Sequence, residues 1–203
     1  MAEFDIINEF VANGDDTIDT TTFTAQCHRI FIDDEILDAK YYRKVILTIM
    51  KCSESDSVVF LINSIGGDMF TLRSIVETFK MVGVKTTAVI MAKCYSAASM
   101  LALSCDEIIV YPSAEMMIHT AQLVAGGSAG NFKRSVQFAV KSVESYIDDV
   151  YQGFLTEEEI SDVKNDKEIY LDADQINTRL KRLFKERARI EREVKATLRQ
   201  KKN

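Results

Sequence analysis

Val58-Val59-Phe60-Leu61-Ile62, followed at once by Asn63-Ser64-Ile65-Gly66-Gly67-Asp68, decides how this chain folds. The first five residues are an unbroken apolar run of strand length. Such a run suits a strand covered on both faces, as in a parallel sheet. The next six read as a tight turn. Beyond it Met69, Leu72, Ile75, Val76 and Phe79 recur at helical spacing, and Gly83 marks the helix end. The pattern then repeats. Residues 87–91 form a strand, Lys93-Cys94-Tyr95-Ser96 a turn, and 97–104 a short apolar helix. Residues 107–111 are a strand stopped by Pro112, and 116–119 a shorter one. Upstream, 28–32 is another strand, and Leu37, Tyr41, Val45, Ile46 and Ile49 have helical spacing. The alternation predicts an α/β fold with parallel pairing.

Further out, a glycine-rich bend at 125–130 precedes a long helix over about 132–152. Its stripe, Val136, Val140, Val143, Ile147 and Val150, is heptad-like. Thr156 followed by Glu157, Glu158 and Glu159 signals a new helix with a capping box. From about Ala173 an amphipathic helix carries Ile176, Leu180, Leu183, Ile190, Val194 and Leu198 amid dense charge. Three parts are expected: an N-terminal segment 1–27, a main domain 28–176 and a basic helix 177–203.

The chain has 203 residues, 47% of them hydrophobic and 28% charged, which fits a globular protein rather than a disordered one. Net charge is −6, which argues against a surface built to grip nucleic acid. That total hides a split. Residues 181–203 hold ten Lys/Arg and three Glu, a balance of +7, so the remainder carries −13. The basic stretch reads as a solvated helix face or as a docking element for an acidic surface. No apolar run reaches membrane-spanning length, and MAEFDIINEF lacks the features of a secretory signal. Cys27, Cys52, Cys94 and Cys105 form no metal-ligand pattern and read as reduced cytoplasmic thiols, so neither a metal nor another cofactor is expected.

Two histidines are present. His28 reads as structural. His119 ends an apolar strand, where α/β folds place their sites. Ser99 lies just past a strand-to-helix turn among small residues, which either admit a substrate backbone or simply let helices pack closely. Gly66-Gly67 could turn an amide toward a cleft, though such a turn alone is common. Taken together these residues are more specific. A serine nucleophile needs a base, the base needs an acceptor, and an oxyanion needs two donors. Ser99, His119, a later carboxylate and the amides of Gly67 and Met100 supply all five functions.

Here the chain resembles the Clp protease proteolytic subunit family (ClpP). Phe60-Leu61-Ile62-Asn63-Ser64-Ile65-Gly66-Gly67 is similar to that family's glycine turn, and Tyr95-Ser96-Ala97-Ala98-Ser99-Met100 to its nucleophile segment. Pro112-Ser113-Ala114-Glu115-Met116-Met117-Ile118-His119 is similar to its histidine segment, and Ile169-Tyr170-Leu171-Asp172-Ala173-Asp174 to the stretch after its catalytic acid. The resemblance implies a ClpP/crotonase fold, a parallel-sheet β-α-β spiral with a protruding handle helix. It implies a serine peptidase that cleaves peptides and unfolded proteins through an acyl-enzyme. It also implies a homo-oligomeric ring, commonly two stacked heptamers, served by a separate ATP-driven unfoldase. Consistent with a separate motor, the chain has no P-loop pattern. The apolar N-terminal stretch from Phe4 to Val11 is a candidate axial gate.

The resemblance assigns Ser99 as nucleophile, His119 as base, and Gly67 and Met100 as oxyanion donors. It puts Glu168 at the acid position, with Asp166 as the second candidate. Ile65, Leu101 and Thr120-Ala121 depart from the family pattern and point to a divergent member, of the kind carried by bacteriophages. Two other readings stand beside this one: a structural ring subunit without catalysis, and a crotonase-type acyl-coenzyme A enzyme.

Overall fold

The computed structural model describes residues 24–122 and 128–200. The proposed gate (Phe4 to Val11) and the first half of the glycine-rich bend lie outside the described residues. The strands are β1 (Cys27–Ile32), β2 (Ser57–Ser64), β3 (Lys85–Tyr95), β4 (Glu107–Val110), β5 (Glu115–Ile118) and β6 (Ile169–Asp172). The helices are α1 (Arg43–Met50), α2 (Met69–Val82), α3 (Ala97–Ser104), α4 (Ala129–Tyr151), α5 (Glu157–Lys164) and α6 (Ala173–Gln200). A short 3-10 turn, Ala39–Tyr42, leads into α1.

All strands join one sheet in the order β1-β2-β3-β5-β6, with β4 also paired to β3. Every pairing is parallel except β5 with β6. The expected α/β parallel-sheet fold is therefore what forms. β3 serves two partners in succession. Thr87–Ile90 pairs with β4, and Lys93–Tyr95 pairs with β5. Between them the register against β2 jumps from Ile62↔Ile90 to Ser64↔Cys94, an irregularity that re-aims the strand end. Residues 93–95, expected in a turn, are thus strand, because this pairing with β5 extends β3.

β2 alternates rather than being covered on both sides. Val58, Phe60 and Ile62 are fully buried, and Phe60 meets Phe79 of α2 with ring centroids 5.9 Å apart. On the opposite face Val89 is covered, but Phe31 beside Leu61 is 61% exposed and Ile109 beside Val89 is 51% exposed. The unbroken apolar run therefore marks one buried face and one half-covered face.

α4 divides into halves. Val143, Tyr146, Ile147, Val150 and Tyr151 are buried, whereas Phe132, Phe138 and Val140 are exposed. The capping box forms as expected: Thr156 accepts from the Glu159 N–H, and the Glu159 carboxylate accepts from the Thr156 N–H. The boundary expected at residue 177 falls inside α6. That helix buries Ile176, Leu180 and Leu183, and then exposes Ile190, Val194 and Leu198.

Three arginines of α6 bind the body. Arg179 forks onto both carboxylate oxygens of Glu159 at 2.7 and 2.8 Å, holding that carboxyl at about 2. Arg182 donates to the Gly153 and Phe154 carbonyls. Arg187 donates to the carbonyls of Leu103 and Cys105, which end α3. A cation there also suits the negative end of the helix dipole. Among the described residues, all four cysteines are free and no helix is long and apolar enough to cross a membrane.

Candidate active site

The site is built at the carboxyl ends of β2, β3 and β5. β3 stops at Tyr95, α3 begins at Ala97, and Ser96 alone makes the turn, with φ 52° and ψ −124°. A side chain at positive φ is strained and persists only where its surroundings fix it. Here they do. The Ser96 N–H donates to the Met117 carbonyl at 2.8 Å. The Ser96 carbonyl accepts from the Ser99 N–H at 2.9 Å and from the Ser99 hydroxyl at 2.7 Å. Gly66 makes room, since a Cβ there would lie 2.6 Å from the Tyr95 carbonyl oxygen and 2.8 Å from Ser96 Cβ.

His119 follows β5, and its Nε2 lies 2.7 Å from Ser96 Oγ. Both side chains line a cleft of about 390 Å³ together with Gly67, Ala97, Met100 and Met117. Two amides there have no acceptor among the described residues. One is Gly67, whose neighbours are spent on Ile36: Ile36 N–H donates to the Gly66 carbonyl, and Asp68 N–H to the Ile36 carbonyl, each at 2.7 Å. The other is Ala97, first residue of α3, which has no intrahelical partner.

The residues expected from sequence separate here. His119 and Gly67 share the cleft. Ser99 does not: it is fully buried, its hydroxyl tied to Ser96 O and, at 2.7 Å, to the Tyr151 hydroxyl. No substrate carbonyl can reach an oxygen so enclosed. The Met100 N–H is likewise turned inward, onto Ser96 O at 3.4 Å, although Met100 still borders the cleft. The segment Ala97-Ala98-Ser99-Met100 points to Ser99, whereas the serine hydroxyl that meets His119 lies three residues earlier. Ser96, the residue at the strand-to-helix junction itself, is the one aimed at His119. Leu101, one of the departures from the family pattern, is fully buried in the core.

The acid candidates lie on the far side of the imidazole. The antiparallel register pairs Ile118 with Ile169, so one further step sets Glu168 across from His119. Glu168 and Asp166 line, with His119, a second cavity of about 450 Å³. Glu168 accepts from the Tyr170 hydroxyl at 2.7 Å. Asp166 sits in a turn at φ 63°. Neither carboxylate hydrogen-bonds the ring. Among the described residues no group of three or more His, Cys, Asp or Glu could hold a metal.

A parallel sheet that gathers a serine, a histidine and two free amides at its strand ends has the layout of a serine-hydrolase site. The chain belongs to the Clp protease family, whose model matches residues 12–196. This family is one of serine peptidases. A comparison with curated proteins found no match.

Proposed function

We propose that this chain is the proteolytic subunit of a self-compartmentalised Clp-type serine protease, with Ser96 as nucleophile and His119 as base. The observation that carries this reading is the 2.7 Å contact between Ser96 Oγ and His119 Nε2 at a strained turn facing an open cleft. In the reaction, Nε2 takes the Ser96 proton as Oγ attacks the scissile carbonyl. The oxyanion is held by the N–H groups of Gly67 and Ala97. Collapse of the tetrahedral intermediate releases the amine, which receives the proton from His119, and leaves an acyl group on Ser96. Water, deprotonated by the same nitrogen, then frees the carboxylate product. Glu168 accepts from Nδ1–H and stabilises the imidazolium.

The substrates in this reading are peptides and unfolded proteins. Ile65, Met69, Met100 and Met117 give the cleft apolar walls suited to an apolar side chain beside the cleaved bond. The exposed Phe132, Phe138 and Val140 of α4 favour stacking of one ring on another. A separate ATP-driven unfoldase would supply protein substrates, and the setting is the cytoplasm.

The test is covalent labelling by a fluorophosphonate alongside peptide hydrolysis. Ser96→Ala should abolish both, with assembly intact. Persistent labelling of that variant would remove Ser96 from its role. The absence of a carboxylate bond to His119 favours one second reading, a ring subunit without catalysis. Detectable turnover by the purified protein excludes it.

A further inference from the structure

Ser99 and Tyr151 have no part in the chemistry above, yet they form the most enclosed polar pair in the described protein. Both are completely buried, and they come from different elements: Ser99 from the first turn of α3, Tyr151 from the last residue of α4. The Ser99 hydroxyl has one proton, and it goes to the Ser96 carbonyl at 2.7 Å. The 2.7 Å contact with Tyr151 must then run the other way, from the phenol to Ser99 Oγ. Burial drives the phenol's acidity far down, so it stays a donor throughout the working pH range.

The acceptor at the end of this chain is the carbonyl of the one residue whose backbone is strained to aim the nucleophile. Three donors converge on that carbonyl: the N–H groups of Ser99 and Met100, and the Ser99 hydroxyl. The N–H groups belong to the helix turn and would be present with any residue at 99. The hydroxyl is the side-chain addition. Fixing ψ at Ser96 fixes where Oγ sits relative to Nε2, and a small misplacement at this point lowers the rate steeply.

We propose that Ser99 and Tyr151 are positioning residues: a buried hydrogen-bond chain, Tyr151 to Ser99 to the Ser96 carbonyl, holds the nucleophile in attack geometry and so ties acylation to the end of α4. This rests on Ser96 being the nucleophile. It gives α4 two ends with different duties. One is exposed and apolar, and the other is hydrogen-bonded to the turn that bears the reactive hydroxyl.

The experiment compares Ser99→Ala, Tyr151→Phe and the double variant by fluorophosphonate acylation rate, peptide kcat and KM, and thermal melting. Ser99→Ala should slow acylation and kcat by about 10-fold, near the rate equivalent of one net hydrogen bond. Tyr151→Phe, which keeps the ring and the packing, should slow both by about 3-fold. KM should hold for all three. Ser99→Ala strands a buried phenol and should melt low. The double variant removes that orphan and should regain melting temperature while acylating as slowly as Ser99→Ala. Rates recovering together with stability in the double variant would overturn the proposal, since the pair would then be packing alone. Wild-type acylation by Tyr151→Phe overturns it as well, and that variant serves if Ser99→Ala does not fold. Label retained in Ser96→Ala instead removes the underlying assignment, and the proposal with it.

Discussion

The two sides of the imidazole of His119 are built differently. On the Ser96 side the backbone is held at every point. Gly66 touches the turn, Met117 accepts from its amide, and Ser99 donates twice to its carbonyl. On the Glu168 side two carboxylates border an open cavity and neither bonds the ring. The contrast follows from the elements involved. Ser96 sits between a long, shared central strand and an apolar helix. Glu168 sits where a four-residue edge strand begins, after a turn at positive φ. In a single chain, then, the Ser96–His119 pair is pre-set, and the carboxylate beside it is the adjustable member.

Gly67→Ala probes the rigid side most severely. Its Cβ would lie 2.2 Å from the Ile36 carbonyl oxygen at a φ of +143°, so the turn must shift and its amide with it. Peptide turnover should fall by roughly 10²–10³-fold, the size of a lost oxyanion donor. A loss below about threefold would show that this side is not rigid after all.

The adjustable side is tested by Glu168→Gln against Asp166→Asn. Glu168→Gln should lower kcat by roughly 10²-fold, in the range for an acid–base partner, while Asp166→Asn leaves it nearly unchanged. Equal losses, or none from either, would defeat the choice of Glu168.

The next effect concerns stability rather than rate. Arg187→Met strips two hydrogen bonds from the carbonyl end of α3 and should lower unfolding free energy by roughly 1–3 kcal/mol, measured by urea titration. If turnover per folded molecule falls as far as in Gly67→Ala, the rigidity of the nucleophile side extends through the whole length of α3.

The smallest effect is a pH dependence away from the site. Arg179 holds the Glu159 carboxyl at about 2, below its unfolded value. A depressed carboxyl contributes stability that is complete above the unfolded value and disappears as pH falls through the folded one. Urea midpoints should therefore drop between about pH 5 and about pH 2.5, by an amount worth roughly 1 kcal/mol for this partly exposed pair, and Arg179→Ala should flatten that drop. An equal drop in the variant would assign it to other groups.

Much of this contrast was legible in the sequence, and the reasons are physical. Residues 97–104 are helix in both readings, because a run of small and apolar residues after a strand leaves little else to form. Thr156 and Glu159 declare their capping box locally. The antiparallel strand β6 is not legible, since Ile-Tyr-Leu-Asp owes its conformation to β5. Ser96 is not legible as the partner of His119, because Ala97-Ala98-Ser99-Met100 carries the local likeness while the strand-to-helix junction that aims a hydroxyl at the imidazole exists only in the fold. Tyr151 gives no local signal either. Its partner is 52 residues away, and only the fold makes the two hydroxyls meet. The residues after Glu168 point to it, and the register of β5 on β6 sets it opposite His119.

The Arg187 clasp also carries a timetable. The carbonyls it binds belong to Leu103 and Cys105, 84 and 82 residues earlier in the chain. At a synthesis rate of about 5–20 residues per second, roughly 4–16 s pass between the two ends of that bond. During this interval a nascent chain already contains Ser96 and, for most of it, His119, but not the guanidinium that closes the end of α3. A newly synthesised chain thus acquires Ser96 and His119 before it acquires the clasp.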